Sequence, residues 1–262
     1  MRLFSICLVM TLVGTGCATP LKNRAETLWS ARVKGDCSTV HAYQDPRTAE
    51  AKQRDDFIKW CSDQAPFMYQ SYEIQDAETE KDWGWVDVRY SSKIRNFPNQ
   101  PAREVQTWEK WWRVDKNWYP VPPKQLDEVP EAPSKRQTTE EARLKARFDA
   151  SWNARKNGEW ETLYKLLDPR DTSTIPLKEY SEGEALFEFL SADVRWTQVI
   201  GDRGRVLVFY MAKPREIRNL DPQEFKRFED WVNVDGEWYR DVKVDSKPAE
   251  GATGTTMLPP RS

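Results

Sequence analysis

The sequence predicts an α+β protein of two tandem repeats, each packing N-terminal helices on an antiparallel sheet. Three observations carry that reading. Residues 21–47 recur as 144–170 at a constant offset of 123, with 11 identities in 27 positions and no gap. Residues 104–119 recur as 224–239 at an offset of 120, with 7 identities in 16. Within each copy, helical spacing of apolar residues comes first and strand alternation follows.

The opening helix of each copy shows one apolar face. Leu21, Ala25 and Trp29 are spaced by four, as are Leu144, Phe148 and Trp152. Thr138 with Glu141 has the pattern of a capping box. Arg32 and Arg155 fall in the last turn, where a cation meets the negative end of the helix. Gly35 and Gly158 follow as C-terminal caps. Asp45-Pro46 and Asp168-Pro169 then read as an N-cap followed by a first-turn proline. A further helix is expected around Phe57, Ile58, Trp60 and Cys61. Its counterpart is placed over residues 181–190, with Ser181 and Glu184 as its capping box.

Strands follow. Residues 85–90 match 205–210, and Val86, Val88 and Tyr90 alternate as Val206, Val208 and Tyr210 do. A longer strand spans 104–114 or 224–234. Asp235-Gly236 is a strong hairpin turn and Asp115-Lys116 a weaker one. Trp118-Tyr119 and Trp238-Tyr239 open the last strand. The acidic run 76–82 reads as a solvated loop rather than a calcium site, because it lacks the required spacing and glycine. The expected organisation is a signal at 1–16, a first repeat at 17–119, a proline-rich stiff linker at 120–137, a second repeat at 138–243 and a disordered tail at 244–262.

A leading amphipathic helix ending in glycine, short helices, then strands closing on V-D-x-x-W-Y resemble the nuclear-transport-factor-two-like cone. Ketosteroid isomerases and many bacterial domains share that fold. The resemblance covers roughly residues 20–119 and 140–242; another α+β sandwich, such as a cystatin-like domain, is the alternative. Likeness to the isomerases implies an acidic base with a tyrosine or acid donor at an oxyanion. Tyr90 and Tyr210 are candidates by strand position only.

The N-terminus carries an address. Arg2 precedes a short apolar run, then Gly14, Thr15, Gly16 and Cys17. The run is too short to span a bilayer, which takes about 20 apolar residues, and has the shape of a secretion signal. The small residues before Cys17 resemble the lipobox of bacterial lipoproteins, with Gly14 where leucine is usual. That resemblance implies lipidation at Cys17, with Ala18 next favouring the outer membrane. The alternative is simple cleavage near Gly16 or Ala18, giving a soluble periplasmic or secreted protein.

Composition narrows the function. The net charge is −2, becoming −3 once Arg2 is removed, so there is no polybasic footprint for nucleic acid. With 39% hydrophobic and 12% aromatic residues the chain is no disordered polymer. Cys37 and Cys61 remain after the signal. In an oxidising compartment they are expected to form a disulfide. Two buried thiols, or a metal or redox site, are the alternatives. The metal case lacks a histidine or second cysteine pair, and there is no Cys-x-x-Cys.

Glu109 and Glu229 are the acidic candidates. Each lies two residues before a tryptophan, Trp111 or Trp231, on the same sheet face. With Tyr90 and Tyr210 they form the expected pocket set. A carboxylate there is either a desolvated general base or the partner of Arg32 or Arg155. Its presence in both copies favours pairing. His41 is the only histidine and Tyr164 replaces it in the second copy, so a histidine-based site is poorly supported. No cofactor or metal is expected. Trp83, Trp85, Trp108 and Trp112 belong to the first copy alone. Exposed as a row they would stack on sugars; core filling is the simpler role.

Three functions follow. The first is a non-enzymatic envelope lipoprotein presenting cone-like pockets to a protein or small apolar ligand. The second is a cone-fold isomerase, dehydratase or hydrolase with a buried carboxylate. The third is a glycan or cell-wall binder using the first-copy tryptophans.

Overall fold

In the computed structural model, residues 18–48, 51, 53–217 and 219–242 are described. The expected signal, Cys17 and the tail from 244 lie outside them. The chain divides into two units, Met1–Ala132 and Pro133–Ser262.

The first unit opens with α1 (Ala18–Lys34). Leu21, Ala25, Leu28 and Trp29 are buried along one side of it and meet Ile74, Val86, Val88, Trp111 and Trp118 of the sheet. Gly35 ends the helix at φ +67°, with Asp36 N–H donating to Ala31 O and Gly35 N–H to Arg32 O. That is a Schellman cap, and glycine takes the left-handed position without a Cβ clash. Helix α2 (Cys37–Ala42) is capped by Asp36. Helix α3 (Arg54–Asp63) is joined to α2 by the Cys37–Cys61 disulfide.

The sheet runs β1 (Phe67–Glu80), β2 (Trp83–Ile94), β3 (Arg103–Val114) and β4 (Asn117–Pro120), neighbours in that order and all antiparallel. The second unit repeats the plan. Its helices are α4 (Thr138–Asn157), α5 (Trp160–Tyr164), α6 (Pro169–Thr172) and α7 (Leu177–Ala185). Its strands are β5 (Phe187–Ile200), β6 (Arg203–Pro214), β7 (Gln223–Val234) and β8 (Glu237–Arg240). Leu144, Phe148 and Trp152 bury the α4 face on Val199, Val206, Val208, Trp231 and Trp238.

Bulges bend both sheets at equal places. β1 shifts register between Tyr69 and Ser71 and again between Ile74 and Asp76. β5 does so between Phe189 and Ser191 and between Val194 and Trp196, each 120 residues on. An extra residue on one strand bends and twists it, which curls the sheet around its helix. Close helix–sheet approach is bought by glycine. A Cβ on Gly84 would lie 2.6 Å from Leu21 Cδ2, and one on Gly204 2.4 Å from Leu144 Cδ2. The β3–β4 and β7–β8 turns hold two consecutive positive φ values, at Asp115-Lys116 and Asp235-Gly236, as a type I′ hairpin requires.

Four expectations are corrected. The run 76–82 is not a loop: β1 continues to Glu80, and Asp82 in the turn pairs with Arg113 at 2.7 Å. The helix expected over 181–190 is displaced: residues 181–185 are helical, but as the second half of α7, and 187–190 are strand. Pro176 sets the start of α7 further upstream, and the chain is already extended from Phe187. Thr138 is not the cap of α4; Gln137 holds that position, without a side-chain cap bond. The segment expected as a spacer at 120–137 is not free up to Ala132. It forms a short 3₁₀ turn (Pro123–Glu128), and Val121, Val129 and Ala132 are buried against Trp85 on the outer sheet face. The Trp85 indole donates to Pro130 O at 2.8 Å. Trp83, Trp108 and Trp112 pack around this patch. The four first-copy tryptophans are therefore gathered, but under the chain's own proline-rich segment rather than as an open row.

Candidate functional site

The inner face of the first sheet carries a groove of about 1250 Å³ in which the expected residues meet. Trp29 and Arg32 come from the last turns of α1, Tyr69 from β1, Tyr90 from β2 and Glu109 from β3. Helix α3 forms a wall with Phe57, Trp60 and Cys61, and Pro120–Pro123 form a rim.

Trp29 is the centre of an aromatic cluster, stacked on Tyr90 at 4.9 Å and edge-on to Tyr69 at 5.3 Å. At the floor, Arg32 Nη1 donates to Glu109 Oε1 at 2.7 Å. Glu109 Oε2 accepts from the indoles of Trp29 at 3.2 Å and Trp111 at 3.1 Å. Three N–H groups therefore converge on one carboxylate. Both partners of the ion pair keep contact with solvent, their side chains being 19% and 18% exposed. Of the expected pocket residues, Tyr90 and Glu109 line the groove. Trp111 is fully buried beneath it.

The same floor exists in the second unit, but it is sealed. Arg155 and Glu229 face each other at 3.3 Å with side-chain exposures of 1% and 0%. Glu184 of α7 accepts from Arg155 Nε at 3.0 Å and from Nη2 at 3.4 Å. Arg240 of β8 approaches Glu184 at 3.4 Å and Glu229 at 3.8 Å, and its Nη1 donates to the Tyr180 hydroxyl at 3.4 Å. Glu229 and Trp231 are fully buried, so this copy's expected trio is core with a half-buried Tyr210 beside it, not an exposed pocket.

Charge pairing overrides desolvation here. Burial pushes the Glu184 carboxyl up, yet Arg155 and Arg240 bring it down to about 2. Burial likewise acts on Glu229, and Arg240 and Arg155 hold it below the usual carboxylate range. Burial drives the Tyr180 hydroxyl upward. The second floor is thus a fixed ionic cluster with its carboxylates deprotonated.

Three substitutions separate the copies. Arg227, 4.0 Å from Glu229, stands where the first unit has Thr107. β3 pairs Trp111 with Pro120, and β7 pairs Trp231 with Arg240. Arg240 N–H donates to Leu166 O, and Arg240 O accepts from Asp168 N–H, which draws the segment after α5 against β8. Proline has no N–H to make the first of these bonds. The third substitution is on the helix wall. Glu184 is the eighth residue of α7, and the eighth residue of α3 is Cys61, in the disulfide. Spacing gives Glu184 only a capping role with Ser181, but Ser181 lies inside α7 and its hydroxyl donates to Lys178 O; comparing 61 with 184 and 120 with 240 is the signal that finds Glu184 and Arg240 as site residues.

Among the described residues, no helix is long and apolar enough to cross a membrane, and no group of three or more His, Cys, Asp or Glu side chains is placed to hold a metal ion.

No protein-family model matches the chain, and no curated protein does. Solved structures give weak similarity of fold. One is a putative dehydratase of the NTF2-like family from Streptomyces avermitilis, at 17% identity and TM-score 0.33, covering 39% of this chain and 91% of that one. Another is a SEC-C motif-containing protein from Rhodopseudomonas palustris, at 16% identity and TM-score 0.31, covering 34% and 68%. An NTF2-like protein involved in plasmid conjugation is 8% identical, with TM-score 0.26, over 84% of this chain and 94% of that one. At these values no chemistry is carried over. The class stands on the architecture itself: an α+β protein of two tandem units, each with helices on a curled four-stranded antiparallel sheet.

Proposed function

We propose that this chain is a non-enzymatic binding lipoprotein of the bacterial envelope. Its first unit holds a ligand with an apolar body in the aromatic groove, and its second unit is a closed structural copy. One observation carries the reading: the same arginine–glutamate floor is open to a groove in one repeat and sealed by further charged side chains in the other. A concave site lined by aromatic groups with a few fixed polar atoms is the usual form of a small-ligand site.

Binding is favoured over catalysis by the setting of Glu109. A general base must aim a lone pair at a substrate proton. Here three of the carboxylate's roughly four acceptor sites are already taken, one by Arg32 and two by indoles, which fixes it as part of the floor. The glycan reading has less support, because Trp85 lies under residues 121–132.

The test of the groove is a neutral fluorescent apolar probe, N-phenyl-1-naphthylamine. Wild type should bind it saturably, and Phe57→Asp, which places a charge on the α3 wall, should weaken binding at least tenfold while leaving the fold intact by circular dichroism. Equal binding by both proteins would remove the groove as the site.

The anchor is a separate part of the proposal, resting on the small residues that lead to Cys17. Acyl chains there would hold the protein at the outer membrane facing the periplasm, each buried CH₂ adding about 0.8 kcal/mol. Metabolic palmitate labelling that persists in Cys17→Ser would refute it.

A further inference from the structure

We infer that the first-unit groove takes an amphiphilic carboxylate, its acid group seated on Arg32 where the second unit places its own Glu184. The inference rests on the groove reading above and adds the chemistry of the ligand.

The second unit supplies the template. Arg155 uses Nη1 for Glu229 and its Nε/Nη2 edge for Glu184, at 3.3, 3.0 and 3.4 Å. Arg32 is the same residue 123 positions earlier, and it uses the same corner, Nη1, for the equivalent glutamate. Its Nε and Nη2 make no hydrogen bond to a described residue. In the groove, Cys61 stands at the helix position of Glu184 and brings no charge. The guanidinium edge that grips a carboxylate in one repeat thus faces an accessible groove in the other. A planar fork of this kind matches a carboxylate in two-point fashion.

Charge balance supports an anion. In the sealed cluster Arg240 offsets the second carboxylate; Pro120 cannot. The charged residues lining the groove are Arg32, Lys34, Asp56, Arg95, Glu109 and Lys110. Lys110 is paired with Glu131 at 2.9 Å. Arg95 is held by backbone carbonyls, Ala65 O at 2.8 Å and Cys61 O at 3.5 Å, with no carboxylate partner among the described residues. Arg215 is its counterpart in the second unit and is likewise held by a backbone carbonyl; in the first unit this cation lines the groove beside Cys61. Tyr69 replaces Phe189 at the matched strand position, adding a hydroxyl to the lining. Burial pushes that hydroxyl's pKa up, keeping it a neutral donor. The ligand's apolar body would lie along Phe57, Trp60 and Tyr90 of the groove.

The experiment is displacement of bound N-phenyl-1-naphthylamine from the full chain by sodium octanoate and by 1-octanol. Ionised octanoate is the less hydrophobic of the two, so a preference for it requires a charge contact. Octanoate should act at a concentration at least tenfold lower than octanol, the size expected for hydrogen bonds to a charged group. Arg32→Gln should bring the two to parity with octanol little changed. Octanol equal to or better than octanoate on wild type would overturn the proposal while leaving the groove reading intact, and that comparison needs no variant. An unchanged ratio in folded Arg32→Gln would also overturn it. Failure of the probe itself to bind would sink the groove reading, and this one with it.

Discussion

Glu184→Gln should make the protein less stable at neutral pH and leave it equal to wild type in strong acid. Glu184 is held near 2 against an ordinary value of 4.5. That difference of 2.5 units corresponds to about 3 kcal/mol at 1.36 kcal/mol per unit. The sign follows from the direction of the shift. A carboxyl with a depressed folded-state pKa contributes fully above its unfolded value, near 4.5, and loses that contribution as pH falls through about 2. Glutamine cannot titrate, and it leaves Arg155 and Arg240 sharing only Glu229. Removing one partner from a buried pair costs about 3–5 kcal/mol, in agreement with the linkage figure. Urea unfolding followed by tryptophan fluorescence at pH 7, 4.5, 3 and 2 gives the difference between the two proteins directly. Carboxylates outside this cluster titrate in both and cancel. The gap should be about 3 kcal/mol at pH 7 and close steadily below pH 4.5. A gap that stays constant down to pH 2 would refute the claim that Glu184 is ionised by the two arginines.

Other perturbations test the packing. Gly84→Ala and Gly204→Ala should each lower stability by about 1–3 kcal/mol, read as a drop in Tm, because the added methyl meets Leu21 or Leu144 inside normal contact distance; an unchanged Tm would mean the helix is not seated as described. Replacing Cys37 and Cys61 together by alanine should cost about 3 kcal/mol, given the 24-residue separation that the bridge closes, and a reducing agent should reproduce the loss in wild type but not in the variant. Trp85→Ala removes the buried indole and its bond to Pro130. Limited proteolysis should then cut within residues 121–132 several times faster than in wild type; equal rates would contradict the packed segment.

Much of the fold was legible because duplication shows each signal twice. The helix faces at Leu21 and Leu144, the glycine caps and both hairpin turns lie where spacing and residue type put them. Strands β1 and β5 were not legible. Ile74 is the one buried residue in β1, and two bulges in each strand reset the alternation that sequence reading depends on. The proline-rich segment misled for a different reason. Its composition matches a spacer, and only the indoles of the outer face give its valines something to cover. At the site, Glu109, Tyr90 and Arg32 were found from their strand and helix positions. Glu184 was missed because identity lapses between residues 47 and 84, where the offset slips from 123 to 120, and Arg240 because it lies one residue past the matched run 224–239. Phe57 and Trp60 were recognised as helical, but nothing in their spacing marks them as a groove wall.

The docking of residues 121–132 on the outer sheet face bears on how the protein can be dissected. A fragment ending at Tyr119, where the last strand motif closes, would strip the lid from Trp83, Trp85, Trp108 and Trp112 together. Such a fragment would present a contiguous oily plate to solvent and to other copies of itself, an aggregation hazard. Cutting after Ala132 keeps that plate shut. The seam between the halves therefore falls after Ala132, and the stretch that looks like a tether belongs to the first half.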